Sequence, residues 1–246
     1  KKNLNSILKE CEIIMHLAGQ SSGEISFENP QNDLKKNTIT TLNLIEQAIE
    51  SKIKKIIYAS SMSVYGNHKT KLKENMKLKP LSCYGAGKIA SENYLRIFSK
   101  KLPYIIFRMF NVYGPGQNLE NLKQGMISIY LSQAIKKNKI IVKGSYKRKR
   151  DFIHIDDVVE IWYRSIFYKK IINQSFNLGT GNPNSVKDVL KLILAHFPKC
   201  RIKYKSQTPG DQFYVCSNNK LLKEKFKFNK FISLRKGLNN LIKEYI

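Results

Sequence analysis

Ile56-Ile57-Tyr58-Ala59-Ser60-Ser61 and, after a polar loop containing Pro80, Tyr84-Gly85-Ala86-Gly87-Lys88 are the two stretches that decide how this chain reads. The first is a continuous apolar run ending in two hydroxyls, the pattern of a strand buried on both faces. The second sets a Tyr and a Lys four residues apart, one above the other on a single helix face. A phenol with a pKa of about 10 is a poor base at neutral pH, and a neighbouring ammonium favours its phenolate. A Ser hydroxyl nearby could hold a substrate alcohol while the phenolate takes its proton, which is the chemistry of hydride transfer between a secondary alcohol and a nicotinamide. Taken alone, Tyr-x-x-x-Lys also fits a solvated Lys beside a half-buried Tyr. The strand end just upstream favours the chemical reading, because open α/β sheets place their sites there.

Outward from this centre, residues 13–17 read as a short strand and 18–23 as a loop of small residues. Residues 34–51 have helical periodicity, with Leu42, Ile45, Ala48 and Ile49 inward. A strand over 53–59, a helix over 84–98 and a strand over 104–110 continue the alternation of a parallel sheet covered by helices on both faces. Beyond Gly116 the texture changes. Helices are expected over 124–136, 156–168 (Trp162 inward) and 186–196, strands over 140–143, 175–178 and 201–204, and two short helices over 217–246. The fold class is α/β, a Rossmann-type doubly wound parallel sheet with a smaller α/β domain. The boundaries expected are 1–116 for the sheet domain and 117–246 for a second portion interleaved with it.

The chain has 246 residues, 42% of them hydrophobic, and a formal charge of +26. That is enough for a large core, and no apolar run approaches the roughly 18 residues of a membrane span. A soluble, cytoplasmic protein without a membrane role is expected. The positive charge raises a nucleic-acid reading, but Lys is spread along the whole chain, with no basic block, Arg-rich arm or zinc finger, so specific nucleic-acid binding is not expected. Cys11, Cys83, Cys200 and Cys216 lack metal-ligand spacing, so reduced thiols and no metal are expected. His16 and His154 sit in apolar contexts and receive no chemical role.

The motifs in their order resemble the extended short-chain dehydrogenase/reductase family, in particular its NAD-dependent sugar-nucleotide epimerases and dehydratases, UDP-glucose 4-epimerases most of all. The resemblance rests on His16-Leu17-Ala18-Gly19, Asn37-Thr38-Ile39-Thr40-Thr41-Leu42, Ser60-Ser61-Met62-Ser63-Val64-Tyr65-Gly66 and Tyr84 to Lys88. It continues through Arg108-Met109-Phe110-Asn111-Val112-Tyr113-Gly114, Arg150-Asp151-Phe152-Ile153-His154, Asn177-Leu178-Gly179-Thr180-Gly181 and Pro209-Gly210-Asp211, nearly the whole chain. It implies Tyr84 as general acid/base, Lys88 as the group that lowers its pKa and bonds the nicotinamide ribose, and Ser61 as the residue orienting the reacting hydroxyl. It further implies that Leu17, Ala18, Gly19 and Asn37 lie along NAD, and that Asn111 and Arg150 contact the diphosphate of a UDP-linked sugar. Relatives commonly form homodimers.

Two departures bear on activity. Dehydratases of the family carry an Asp-Glu pair where this chain has Met62-Ser63, which disfavours dehydration, and an Arg common just before Pro-Gly-Asp is here Thr208. No Gly-rich dinucleotide turn is present, and by the size of two βαβ units roughly 60 residues of the family pattern precede the first strand. The chain is therefore expected to be a fragment that alone binds NAD poorly, is inactive and tends to aggregate at its open strand edge. The function implied for the whole is epimerisation of a nucleotide-sugar by transient oxidation at C4. The alternatives are a 4-keto-sugar-nucleotide reductase and a non-catalytic nucleotide-sugar or RNA-binding remnant.

Overall fold

Every residue of Lys55–Ser61 is buried, as a central parallel strand covered on both faces must be. This computed structural model describes residues 2–123, 125–206 and 211–245. The expected Pro209-Gly210 turn, Thr208 and Gln124 lie outside the described residues. In chain order come α1 (Lys2–Lys9), β1 (Ile13–His16), α2 (Gly23–Glu28), α3 (Pro30–Leu34), a π turn (Lys35–Ile39) and α4 (Thr40–Glu50). Then follow β2 (Lys55–Ser61), a 3-10 turn (Met62–Val64), α5 (Cys83–Ile97), β3 (Tyr104–Met109) and β4 (Asn111–Tyr113). The remainder runs α6 (Met126–Lys137), β5 (Lys139–Lys143), β6 (Lys149–His154), α7 (Ile155–Phe167), β7 (Gln174–Leu178), β8 (Pro183–Ser185) and α8 (Val186–Leu194). Last come β9 (Arg201–Lys205), β10 (Tyr214–Val215), α9 (Lys220–Phe226) and α10 (Leu234–Lys243).

The main sheet has the order β1-β2-β3-β7 and is parallel throughout. Side chains alternate along β2 and β3, so each strand feeds two cores. Ile56, Tyr58, Tyr104 and Ile106 meet Ile45 and Ala48 of α4 and Leu95 of α5 on one face. Ile57, Ile105 and Phe107 meet Trp162 of α7 and Phe226 of α9 on the other. Lys55, buried in the middle strand pair, keeps its ammonium by donating to the last carbonyls of α7, Ser165 O at 2.7 Å and Ile166 O at 3.1 Å. The negative end of that helix favours a cation there.

Strand β7 joins the main sheet from far along the chain, pairing with β3. Parallel strands β10, β6 and β4, with β8 antiparallel on β6, form a small sheet. Strands β5 and β9 form a parallel pair. A third core gathers Leu131 of α6, Ile140 and Val142 of β5, Val189 and Ile193 of α8 and Leu238 of α10. Asp151, fully buried on β6, ties β6 to the loops after β7 and β10. It accepts from Thr180 N (2.9 Å), Thr180 Oγ1 (2.6 Å), Gly181 N (2.9 Å), Ser217 N (3.0 Å) and Ser217 Oγ (2.5 Å).

The small-residue loop expected after β1 runs to Ser22, which caps α2 by accepting from Ile25 N at 3.3 Å. One local expectation differs. The helix expected over 34–51 is interrupted by the π turn, which puts Asn37 and Thr38 inside the protein. Such widened turns cost backbone regularity and are found mostly where a side chain must be re-aimed. No helix among the described residues is long and apolar enough to cross a membrane. Among the same residues, no group of three or more His, Cys, Asp or Glu is placed to hold a metal ion.

Candidate active site

Helix α5 starts at Ser82, whose hydroxyl accepts from Gly85 N at 3.1 Å. Its two early glycines carry a packing cost in propensity of about 1 kcal/mol each and are explained by what approaches them. A Cβ on Gly85 would stand 2.6 Å from Ser63 O, and one on Gly87 would stand 3.0 Å from Thr38 Oγ1. The glycines thus let the end of β2 and the π turn close in on either side of Tyr84 and Lys88.

Tyr84, Lys88 and Ser61 are brought together and buried, at 8%, 5% and 8% exposure. Lys88 Nζ donates to Ala59 O at 2.8 Å and sits 4.8 Å from the Tyr58 ring centre and 5.6 Å from that of Tyr84. Ser61 caps the 3-10 turn, accepting from Ser63 N at 3.1 Å, and its hydroxyl lies 3.2 Å from Ser63 Oγ. The electrostatics run against the simple expectation for a Tyr–Lys pair. Burial pushes the Tyr84 phenol up to about 12, opposed by its hydrogen bond with Ser61 and reinforced by the charge of Asp33. Burial likewise pushes Lys88 down to about 8, opposed by Asp33 and Glu92. Desolvation penalises both charged forms, so burial opposes the Tyr84 phenolate and the Lys88 ammonium alike.

Ser60, the neighbouring hydroxyl, faces the opposite way and serves the interior. It donates to Glu92 Oε1 at 2.6 Å. Glu92 is fully buried and also accepts from Arg108 Nε (2.9 Å), Arg108 Nη2 (2.7 Å) and Arg96 Nη2 (2.6 Å). Burial opposes its ionisation, but the two guanidiniums and Ser60 win and hold the carboxyl below its usual range. Arg108 extends the network to Tyr65 Oη at 2.8 Å, which donates to Asn177 Oδ1 at 2.6 Å. Sequence reasoning missed this network, although its signals were present: Glu92 follows Lys88 by four residues on the same helix face, and Arg108 interrupts an apolar strand.

Asn37, at 1% exposure, donates from Nδ2 to Asp33 Oδ1 at 3.0 Å, while its Oδ1 has no hydrogen-bond partner among the described residues. Gly19, at φ 147°, lies against it: a Cβ there would stand 2.4 Å from Asn37 Oδ1. Leu17 is 58% exposed, and Ala18 and Gly19 are exposed beside it at the end of β1. His16 sits behind them, with Nε2 2.9 Å from Thr41 Oγ1, and burial together with the charge of Lys88 lowers it to about 4. His154 caps α7, consistent with a structural part.

In front of Tyr84 and Ser61 opens a cavity of about 360 Å³, whose wall includes Glu24, Met62, Ser63 and Asn111. Asn111 donates to Asp151 O at 3.0 Å. A second cavity of about 440 Å³ shares Gly23, Glu24, Met62, Ser63 and Met126 with the first and runs to Tyr130, Lys143, Arg148, Arg150 and Lys205. Arg148 and Arg150, both nearly buried, converge on Asp211. One cleft therefore has Tyr84 and Ser61 at one end and Lys143, Arg148, Arg150 and Lys205 at the other.

The profile of the NAD dependent epimerase/dehydratase family matches residues 1–179. The chain belongs to that family. Among its relatives, a putative UDP-glucose 4-epimerase of Methanocaldococcus jannaschii is 33% identical over 189 residues, covering 75% of this chain and 61% of the relative. The dTDP-4-dehydro-6-deoxyglucose reductase of Escherichia coli is 33% identical over 197 residues, covering 78% and 62%. The chain thus spans about three fifths of the length of these two curated relatives. Of solved structures, MoeE5 in complex with UDP-glucuronic acid and NAD superposes with a TM-score of 0.91 at 27% identity, covering 98% of this chain and 81% of that one.

Proposed function

We propose that the protein is an NAD-dependent epimerase of a nucleotide-sugar, acting on a UDP-linked sugar by transient oxidation at C4. The reading is carried by one observation: Tyr84 and Ser61 face a cavity that continues into the one holding Arg148 and Arg150. A sugar at the first and a diphosphate at the second fit the chemistry of the two linings. The nicotinamide end of NAD fits the orphaned Asn37 Oδ1 as an acceptor for a carboxamide N–H, and Lys88 as a donor to ribose hydroxyls. NAD, when bound, supplies the acceptor and donor of the hydride.

The chain's own residues handle the proton and the orientation. Ser61 Oγ holds the reacting hydroxyl, and Tyr84 Oη takes the proton from O4 and gives it back to the same oxygen after the 4-keto sugar has turned over. Lys88 supplies the positive charge that a Tyr84 phenolate needs, against the burial that otherwise keeps the phenol neutral. Arg150, with Asn111 in the first cavity, grips the diphosphate through its planar fork. Met62 and Ser63 stand where dehydratases of the family carry an Asp-Glu pair, which argues against elimination of water.

The similarity to a 4-keto-sugar reductase sustains a second reading, since a Ser, Tyr and Lys set also serves net reduction. Incubation of the protein with NAD and UDP-galactose separates the two. Appearance of UDP-glucose with no net change in NADH absorbance supports the epimerase. Stoichiometric oxidation of NADH by a 4-keto-sugar nucleotide, with no interconversion of UDP-galactose, would replace it by the reductase.

A further inference from the structure

Asp33 on α3 is buried to 2% exposure among groups that the expected Tyr, Lys and Ser set leaves unexplained. Its Oδ1 accepts from Gln20 Nε2 at 2.7 Å and from Asn37 Nδ2 at 3.0 Å. Its Oδ2 faces α5 within one turn of Tyr84, 3.7 Å from where a Cβ on Gly87 would be. With the amide nitrogen of Asn37 bound to Asp33, the carbonyl is forced to the other side, where Gly19 makes room for it and nothing described satisfies it. We propose that Asp33 is a positioning residue for the Tyr84–Lys88 pair: it fixes the Asn37 amide with its carbonyl turned toward Gly19, and it gives buried Lys88 a counter-charge. This rests on the reading of Tyr84 and Lys88 given above.

The neighbourhood of Lys88 leaves few other sources of that charge. Asp33 faces it from α3, His16 from β1, Tyr58 from β2, and Tyr84 and Glu92 from α5 itself. His16 is neutral, since burial holds it near 4, and Glu92 is committed to Arg108 and Arg96. Among the described residues the partners of Asp33 are the neutral Gln20 and Asn37 amides, which leave its charge uncompensated. Burial raises its own carboxyl, and the Gln20 and Asn37 amides oppose that rise.

The test is the titration of Lys88 by NMR in protein carrying 13C at lysine Cε, with the signal assigned by its loss in Lys88→Met. Asp33→Asn and Asp33→Ser both remove the charge, so either one that folds serves, while Asp33→Glu keeps it. Without the anion, the Lys88 midpoint should fall by roughly half a pH unit or more, and Asp33→Glu should stay close to the parent. Turnover, followed across pH, should move its optimum in the same, acidic direction, because both the Lys88 ammonium and the Tyr84 phenol then lose their proton at lower pH. An unmoved midpoint in the charge-removing variants, or an equal fall in Asp33→Glu, would overturn the proposal. That outcome is distinct from failure of the epimerase reading, which would show as undiminished turnover in Tyr84→Phe.

Discussion

At one end of the cleft, Tyr84, Lys88 and Glu92 stand on a single helix at four-residue spacing. At the other, Arg148 just before β6 and Arg150 on it meet Asp211 across a sequence separation of 61 for Arg150. The first end is anchored by a strand and a helix whose interior contacts are fully made: Ser60, Arg96 and Arg108 all converge on Glu92. The second depends on how the second portion folds back over the main sheet. The difference teaches that the Tyr84–Lys88 end is set by local geometry, whereas the Arg148–Arg150–Asp211 end is assembled from distant segments. Changes at the two ends should therefore separate turnover from affinity.

The largest effect is expected beneath the helical end. Glu92→Ala would leave Arg108 buried and unpaired, a loss of about 3–5 kcal/mol, readable as a lowered midpoint in urea unfolding. A change under about 1 kcal/mol would show that the network is not what holds α5 to β3. Next, Tyr84→Phe keeps the ring and its packing but removes the proton carrier. Turnover should fall at least ~10²-fold while the KM for the nucleotide-sugar stays close to that of the parent.

A pH effect of similar rank tests the wall behind the site. Burial and the charge of Lys88 lower folded His16 to about 4 from an unfolded 6.5. The unfolded chain therefore takes up a proton that the folded one refuses. His16 contributes its full stability above pH 6.5 and loses it as pH falls toward 4, about 2 kcal/mol being gone by pH 5. The stability difference between the protein and His16→Phe should shrink over that window; a difference constant with pH would mean that His16 is not buried neutral. Smallest is the cationic end. Arg150→Ala should weaken nucleotide-sugar binding about tenfold, the loss of one charged hydrogen bond, with kcat little changed. A larger fall in kcat than in affinity would erase the distinction between the two ends.

Much of this was legible in the residues themselves. The strands over 53–59 and 104–110 and the helix over 84–98 fall within two residues of β2, β3 and α5, because long apolar runs and capped helices carry their own signal. The spacing of Tyr84 and Lys88 put both on one face, and the Ser60-Ser61 end put hydroxyls beside them. The short strands β4, β6, β8 and β10 were not legible. Two to six residues have too little period to show, and their pairing comes from partners far along the chain.

What sequence alone determined, then, is which side chains share a helix face or strand end and which runs must be buried, since both follow from the 3.6 and 2.0 periods of the backbone. Tertiary structure alone decided that Ser60 turns inward to Glu92 while Ser61 turns to the cavity. It also decided that the π turn buries Asn37 against Gly19, and that Arg148, Arg150 and Asp211 meet. It even reversed the electrostatics, pushing Tyr84 up and Lys88 down. The physical reason is that desolvation and long-range convergence depend on everything packed around a group, and spacing along the chain carries no measure of either.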